Sequence, residues 1–569
     1  MRVTLLRALA ALGLAGLTIT TALAPAAAVE TPPNPDGTAP AAIEDPADPT
    51  LTVAMVVPLV LPPSTGGLID PTDLEVFTAP DGLLTRQLDA VAGRPAAIGI
   101  DPRIIASIRV LGDAAPESAV DWLQRLEDAP NESFALAYAD SDVVAVSQAG
   151  GTSVFTPTSF DFAINSDRFS AALPSASPDP SATETPAPPV EGAPPLPQTV
   201  EEVLDWDYSI EGLAWPADDT VVTDDLPVLA DAGYRTVLID STNVAGSAAP
   251  HIRFDERVDG IVADGGFSSL ARAIVAAETD TQAADATATL NRAISRADER
   301  TLVVAFDRHW PLAEDYRLDD AMSALENSYA VQTTSLAAVR SGATIDAAVA
   351  DSPETAERRA AVADLLEAHR RDVAFATIAD DPLLITAERR LDLMAVLSAT
   401  WLRSEGDWPG AVEQNLASSD ELRSSVRVVE SSDLLALGAE ARLPVTVTNS
   451  LDVPVRVYAS ATPLRQILTI EPDSQPLELV VQPDSSATGY ISGQAVANGQ
   501  VLVRLSLTGS SGVAVGEAST VRLDLQAQWE TVGILIVVIL LVLVFGVGIT
   551  RNILKRRRAR DADTGGDVG

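Results

Sequence analysis

From Val532 to Ile549 the chain reads VGILIVVILLVLVFGVGI, eighteen residues without a charge. At about 1.5 Å of rise per residue, a helix of that length spans roughly 27 Å, close to the ~30 Å hydrocarbon core of a bilayer. A helix satisfies its own backbone hydrogen bonds, which is the condition for crossing lipid. Behind the run stand Arg551, Lys555, Arg556, Arg557, Arg558 and Arg560, a cationic cluster that holds its end in the cytoplasm. Trp529 precedes it, where interfacial aromatics gather. The competing reading, a buried core helix, fits poorly, because core helices rarely carry so long an apolar run followed by six positive charges. The sequence therefore predicts one transmembrane helix over 532–549, a basic cytoplasmic tail over 550–569, and the rest of the chain on the far side of the cell membrane. The lipid bilayer is the first partner it implies.

The other end agrees. Met1 to Ala28 has Arg2 and Arg7 in its n-region, an apolar core from Leu9 to Ile19, and the small residues Ala26-Ala27-Ala28 as a cleavage site. That is the layout of a secretory signal peptide. Residues 29–49, rich in Pro, Ala and Asp, have little to bury and read as a disordered leader. The mature protein would be single-pass, with a large extracellular part.

Composition narrows the chemistry. With no cysteine, the exported part has no disulfides, no thiolate nucleophile and no Cys-ligated zinc. The formal net charge of the whole chain is −42, and both ends are basic, so the exported part is more acidic still. Such a surface repels nucleic acid and anionic lipid headgroups alike.

After the leader, Leu51–Leu61 is an apolar run of strand length. From there one theme recurs: a short buried strand, a turn bearing a carboxylate, then a helix. The predicted strands are Ala97–Ile100, Phe134–Ala137, Leu213–Trp215, Val237–Ile239, Gly260–Val262, Leu302–Ala305 and Phe375–Ile378, with Tyr329–Thr333 a weaker candidate. Most are apolar without alternation, as parallel strands covered on both faces are. Between them lie helical stripes: Leu290, Ile294 and Ala297; Val362, Leu365 and Leu366; Leu391, Met394, Ala395 and Leu402. This alternation predicts an α/β fold, a (β/α) barrel-like domain over 50–422, in preference to an open doubly wound sheet. The Pro-rich stretch 174–197 reads as a surface loop within it.

The texture changes after Leu422. Residues 426–526 contain alternating strands and no convincing helix. Leu443–Thr448 puts its apolar residues on one face, Asn449–Asp452 makes a turn, and Val453, Val455 and Val457 return. Leu477–Val481, Gly489–Val496, Gln500–Leu507 and Ser519–Leu525 continue the pattern. The spacing predicts an immunoglobulin-like β-sandwich, a stalk that folds by itself and leads directly to the membrane.

Carboxylates follow the barrel strands: Asp101, Asp140, Asp142, Asp240, Asp264, Asp307, and Asp380 with Asp381. That edge is where such barrels build active sites, and two acids across a pocket can act on a glycosidic bond. The bland reading is strong: Asp101-Pro102, Asp240-Ser241-Thr242 and Asp264-Gly265-Gly266 are ordinary helix-start and turn chemistry. Asp140 and Asp142, two apart, would point the same way on an extended segment and could hold a weak Ca²⁺. The weak catalytic candidates are thus Asp101, Asp140, Asp142, Asp240, Asp264, Asp307 and His309, and Asp307-Arg308-His309 is the best placed polar cluster.

A metal or cofactor finds little support. His251, His309 and His369 are isolated in sequence, with no H-E-x-x-H pair; His369, beside Arg370 and Arg371, reads as a solvated helix end. No complete phosphate loop accompanies Gly150-Gly151 or Gly265-Gly266, and Gly-x-Ser-x-Gly is absent. No cofactor is expected. Trp122, Trp206, Trp215, Trp310, Trp401 and Trp408 could stack on sugars, though core packing accounts for most.

Ile100-Asp101-Pro102, Ala137-Tyr138-Ala139-Asp140-Ser141-Asp142-Val143 and Leu213-Ala214-Trp215-Pro216 together resemble an actinobacterial family of unknown function. So does Val445-Thr446-Val447-Thr448-Asn449 ahead of a terminal helix and an Arg-rich tail. The resemblance implies a secreted single-pass envelope protein, often encoded near the lipid II flippase, with a barrel similar to glycoside hydrolase and polysaccharide deacetylase folds. It supplies no catalytic residues, and the deacetylase metal histidines have no counterpart here. Two function classes follow. One is a non-catalytic protein that binds cell-wall glycan or proteins of cell-wall synthesis; the other is a glycan hydrolase with paired carboxylates. Sparse aromatics favour the first.

Overall fold

The structure is a computed structural model that describes residues 51–169, 194–246, 249–308, 317–404, 406–429, 433–526 and 529–561. The signal peptide, the leader, most of the Pro-rich stretch, His309 and Trp310 lie outside the described residues.

Seven short strands form the barrel: β1 (Leu51–Leu59), β2 (Ala96–Ile100), β3 (Ser133–Ala135), β4 (Leu213–Ala214), β5 (Thr236–Asp240), β6 (Asp259–Ala263) and β7 (Arg300–Ala305). All pair in parallel, in the order β4-β5-β6-β7-β1-β2-β3. β1 stands in the wall between β7 and β2. Almost every one of its residues is buried, which is why its sequence is apolar without alternation. The barrel wall is irregular in two places. β6 meets β7 at the single pair Ala263–Val303, because His251–Arg253 takes the neighbouring edge of β6 antiparallel. Between β3 and β4 no ladder forms; the Ile210 amide donates to the Ser133 carbonyl at 2.9 Å and closes the ring there.

The weaker strand candidate is present in shortened form, and one expectation changes. Val331–Thr333 is a strand, paired with the start of β1. Phe375–Ile378 is not a barrel strand: Phe375 lies in the last turn of the helix Ala356–Ala376. Its apolar residues are explained by another neighbour, described below.

That helix, with Leu383–Val396 and Trp408–Ser424, makes a helical layer over the C-terminal end of the barrel. The Asp142 amide donates to the Leu397 carbonyl at 2.8 Å, and Ser141 bridges to Ser398. In the loop after β1, the Gly67 amide donates to Asp392 at 2.9 Å. A Cβ on Gly67 would lie 2.2 Å from that of Leu391, so only glycine lets the helix approach this closely.

The sandwich faces a four-stranded sheet (Val426–Val428, Glu440–Asn449, Ser485–Ala495, Leu468–Ile470) with a five-stranded one (Leu434–Leu437, Ala514–Gln526, Gly499–Thr508, Val455–Pro463, Leu477–Val481). The turn after Asn449 is not a hairpin within one sheet. It carries the chain from one sheet to the other, since Glu440–Asn449 and Val455–Pro463 have different partners. Buried Asn449 holds the crossing, donating from Nδ2 to the Val453 carbonyl at 2.8 Å and accepting from the Leu451 amide at 3.0 Å. The sandwich core includes Phe375 and Ile378 from the helical layer, and the Arg456 amide donates to the Ile378 carbonyl at 2.7 Å. Those two side chains plug the sandwich, which explains their apolar character.

Trp529–Asp561 is a continuous helix. Within it lies the segment Ile534–Arg556, in which an eighteen-residue stretch has mean hydropathy 2.8 and no buried residue, so length and composition suit it to crossing a membrane.

Candidate functional site

Six of the seven barrel strands, all but β1, are followed by a carboxylate, and the backbone claims most of them. Asp101, just after β2, caps the next helix by accepting from the Arg103 amide at 2.9 Å. The same oxygen accepts from the Ala139 amide at 2.8 Å, tying down the loop after β3. Asp142 caps Val143–Gln148 through the Val144 and Ala145 amides, both at 3.2 Å. Asp240 accepts from the Thr242 amide at 2.9 Å and its hydroxyl at 2.8 Å. Asp264 accepts from the Phe267 amide at 2.9 Å and from Arg300 at 3.2 Å. Asp307 accepts from the Arg308 amide at 2.7 Å. A capping oxygen satisfies amides that a helix start leaves unpaired, and that local need is what the sequence pattern encodes.

Asp140 has a different partner. Ala139 and Asp140 both have positive φ, 57° and 48°, so this segment is a turn and not extended. The shared Ca²⁺ geometry expected of an extended segment is lost. Asp140 instead meets Arg308, whose Nε donates to Oδ2 at 2.6 Å with both side chains buried. The guanidinium also donates to the Trp215 carbonyl at 2.5 Å and lies 4.7 Å from the centre of the Trp215 ring. Burial pushes the Asp140 carboxyl up to about 6, against the pull of Arg308. Arg308 thus joins the ends of three barrel strands: the β3 loop, the β4 loop and its own, after β7. Of the cluster Asp307-Arg308-His309, the arginine is the residue at the centre.

A second buried knot lies behind Asp142. Glu354 and Arg358 are 3.3 Å apart, and Arg358 reaches Asp142 at 3.6 Å. Burial and the adjacent Asp142 charge push the Glu354 carboxyl well up. Two carboxyls this close hold a proton more easily than two charges. Sequence reasoning passed over this pair. Its signal was the i,i+4 acid–base spacing of Glu354 and Arg358 at a helix start.

The two described histidines have separate surroundings. His251 Nδ1 is 3.1 Å from the Gly342 carbonyl oxygen. His369 is not solvated: it is buried edge-on against the Phe155 ring, with centroids 5.3 Å apart. Burial, with Arg390 and Arg389 nearby, lowers its pKa to about 4. Among the described residues no group of three or more His, Asp or Glu side chains could hold a metal ion.

Beside the Arg308 centre is a cavity of about 240 Å³, lined by Asp218, Thr220, Arg272, Phe306, Asp307, Arg308 and Leu402 among others. Its two acids are engaged: Asp218 pairs with Arg272 at 2.6 Å, and Asp307 holds the Arg308 amide. The cavity is smaller than the roughly 300–1,000 Å³ usual for ligand pockets.

The model of a family of unknown function, DUF6049, matches residues 47–564, and the chain belongs to that family. No curated protein gives a significant match. Among solved structures, the chain is similar to the alpha-amylase AmyC of Thermotoga maritima, at 10% identity and a TM-score of 0.38, over 65% of this chain and 92% of that one. It is also similar to Escherichia coli alpha-2-macroglobulin, at 18% identity and a TM-score of 0.15, over 18% of this chain and 7% of that one. SSP-19, an MSP-domain protein like family member of Caenorhabditis elegans, matches at 13% identity and a TM-score of 0.14, over 17% of this chain and 94% of that one.

Proposed function

We propose that this member of DUF6049 is a membrane-anchored, extracellular envelope protein whose barrel binds or scaffolds cell-wall material without catalysing its breakdown. The observation that carries the reading is the state of the barrel mouth. Its carboxylates are committed to helix caps or buried ion pairs, and a helical layer covers them. A glycosidase needs one acid to give a proton and a second to act as base or nucleophile beside the same sugar. Here Asp101, Asp142, Asp240 and Asp264 are occupied by backbone amides and Asp140 by Arg308. The apolar helix Ile534–Arg556 and the cations behind it support anchoring with the tail in the cytoplasm. The acidic surface argues for partners other than nucleic acid.

The test is incubation of the full-length protein, in detergent micelles, with isolated cell-wall glycan. Co-sedimentation without new reducing ends is expected. Reducing ends whose appearance is abolished by Asp307→Asn or Asp218→Asn would establish the hydrolase instead. Topology is checked with protease added to intact spheroplasts, which should digest the bulk of the chain and spare a small tail fragment.

A further inference from the structure

Where β3 and β4 fail to pair, two cavities lie against the barrel wall. One measures about 560 Å³ and the other about 490 Å³, both within the roughly 300–1,000 Å³ of small-molecule sites. They share Asp205 and Trp206. The larger is lined by Tyr138, Phe155, Trp206, Tyr208 and Tyr234, with Glu201 beside them. Aromatic residues make up 4% of the chain, so five around one cavity is a marked concentration. Four of the five are only half-buried, unlike the core aromatics Trp122, Phe134 and Phe306.

The polar groups there are arranged as a ligand would need. The Tyr208 hydroxyl is shielded from solvent and has no hydrogen-bond partner, a condition that costs free energy until a partner arrives. Glu201 and Asp205 are exposed at the rim. The segment bearing Trp206 and Tyr208 is held in place, since Arg109 donates to the Val203 carbonyl at 3.0 Å and the Asp205 carbonyl at 2.5 Å. The same guanidinium lies 5.9 Å from the centre of the Trp206 ring.

We propose that this seam is a binding site for a neutral glycan strand, with Trp206 between two sugar subsites and the Tyr208 hydroxyl, uncovered as the ligand seats, meeting a sugar hydroxyl. The inference rests on the envelope-binding reading and gives it a location away from the barrel mouth. A sugar ring has an apolar C–H face that stacks on an aromatic ring, and an edge of hydroxyls that donate to carboxylates. Glu201 and Asp205 supply those acceptors, and they repel phosphorylated ligands. A proline-rich peptide also lies on aromatic grooves, but proline has no N–H and would leave both rim carboxylates without donors.

The experiment uses the full-length protein in detergent micelles and titration calorimetry with three probes: chitotetraose, cellotetraose and maltotetraose. Wild type should bind at least one of them. Trp206→Ala should weaken that binding tenfold or more, and Tyr208→Phe three- to tenfold. Tyr208→Phe removes a hydroxyl that has no partner in the free protein, so its Tm should be unchanged or higher; this keeps the test sound if Trp206→Ala folds poorly. Absence of binding to all three probes, or equal affinity in folded variants, overturns the proposal. Sedimentation with isolated cell-wall sacculi separates the two failures. If sacculi still bring down the protein, the envelope-binding reading stands and the seam is not its site; if they do not, both fall. Binding of a proline-rich peptide, sensitive to Trp206→Ala and without sugar binding, would also overturn the proposal.

Discussion

At the barrel mouth, Asp101, Arg103, Asp140, Asp142, Arg308, Glu354 and Arg358 are all buried, whereas Asn449 is the one buried polar side chain described between Val426 and Gln526. Both regions exclude water, but they hold themselves together differently. The sandwich relies on two apolar sheet faces, which need no exact partner for each residue. The mouth relies on pairs whose members are costly when left alone. The difference teaches where each region should fail, and at which pH.

The largest effect expected is at Arg308. Arg308→Met keeps bulk but leaves Asp140 buried without its cation, and should destabilise the barrel by about 3–5 kcal/mol. Adding Asp140→Asn should recover much of that loss, which a thermal double-mutant cycle measures. Recovery would show that the penalty belongs to the stranded charge. No recovery would assign it to the lost contacts of Arg308 with Trp215 and break the comparison.

Phe375 tests how separate the two regions are. It belongs to a helix over the barrel, yet it is packed in the sandwich core. Phe375→Ala should cost about 3–5 kcal/mol by opening a cavity, with the lower transition read in the β-type circular dichroism. The prediction of a self-folding stalk over 426–526 leaves this plug out. A sandwich melt untouched by the substitution would favour the independent stalk.

The pH response should be confined to the barrel. Asp140 and Glu354 have folded-state pKa values raised above their unfolded ones. At these two sites the native state binds more protons than the unfolded chain, so their contribution falls as pH rises, while buried His369, lowered to about 4, works in the opposite direction. Their contribution is fully present below the unfolded carboxyl range, near pH 4, and is lost as pH rises through the raised values, about 6 for Asp140. Glu354→Gln fixes the neutral form and should flatten this decline on a plot of barrel Tm against pH. The sandwich, with no buried carboxyl described, should show no such slope. An unchanged decline in Glu354→Gln would remove this residue from the account.

The smallest effect expected is at the caps. Asp264→Ala should cost about 1 kcal/mol, the usual value of an N-cap, measured by chemical denaturation. A loss several times larger would mean that Asp264 belongs with the buried pairs instead.

Much of the fold was legible in the sequence because its signals are local. The apolar run after Trp529, the strand runs of the barrel and the alternation from Leu443 each depend on near neighbours and the period of one element. The capping roles of Asp101, Asp240 and Asp264 were legible for the same reason, since the oxygen and the amide it accepts from are two or three residues apart. Phe375–Ile378 misled because a short apolar run does not say what buries it. Asn449–Asp452 misled because a tight turn between alternating strands looks the same whether it stays in one sheet or crosses to another.

By itself the sequence determined that this chain has an apolar helix fit for a membrane, an α/β region with carboxylates after its strands, and a β-sandwich beyond it. Only the tertiary structure decided that Arg308 takes Asp140, that Glu354 stands against Asp142, and that the aromatics from Tyr138 to Tyr234 gather at one seam. Asp140 and Arg308 are 168 residues apart, and Glu354 lies even further from Asp142. No periodicity spans such distances. These contacts exist because parallel strands from distant parts of the chain end at one edge of the barrel, and because β3 and β4, meeting there without a ladder, leave the seam open.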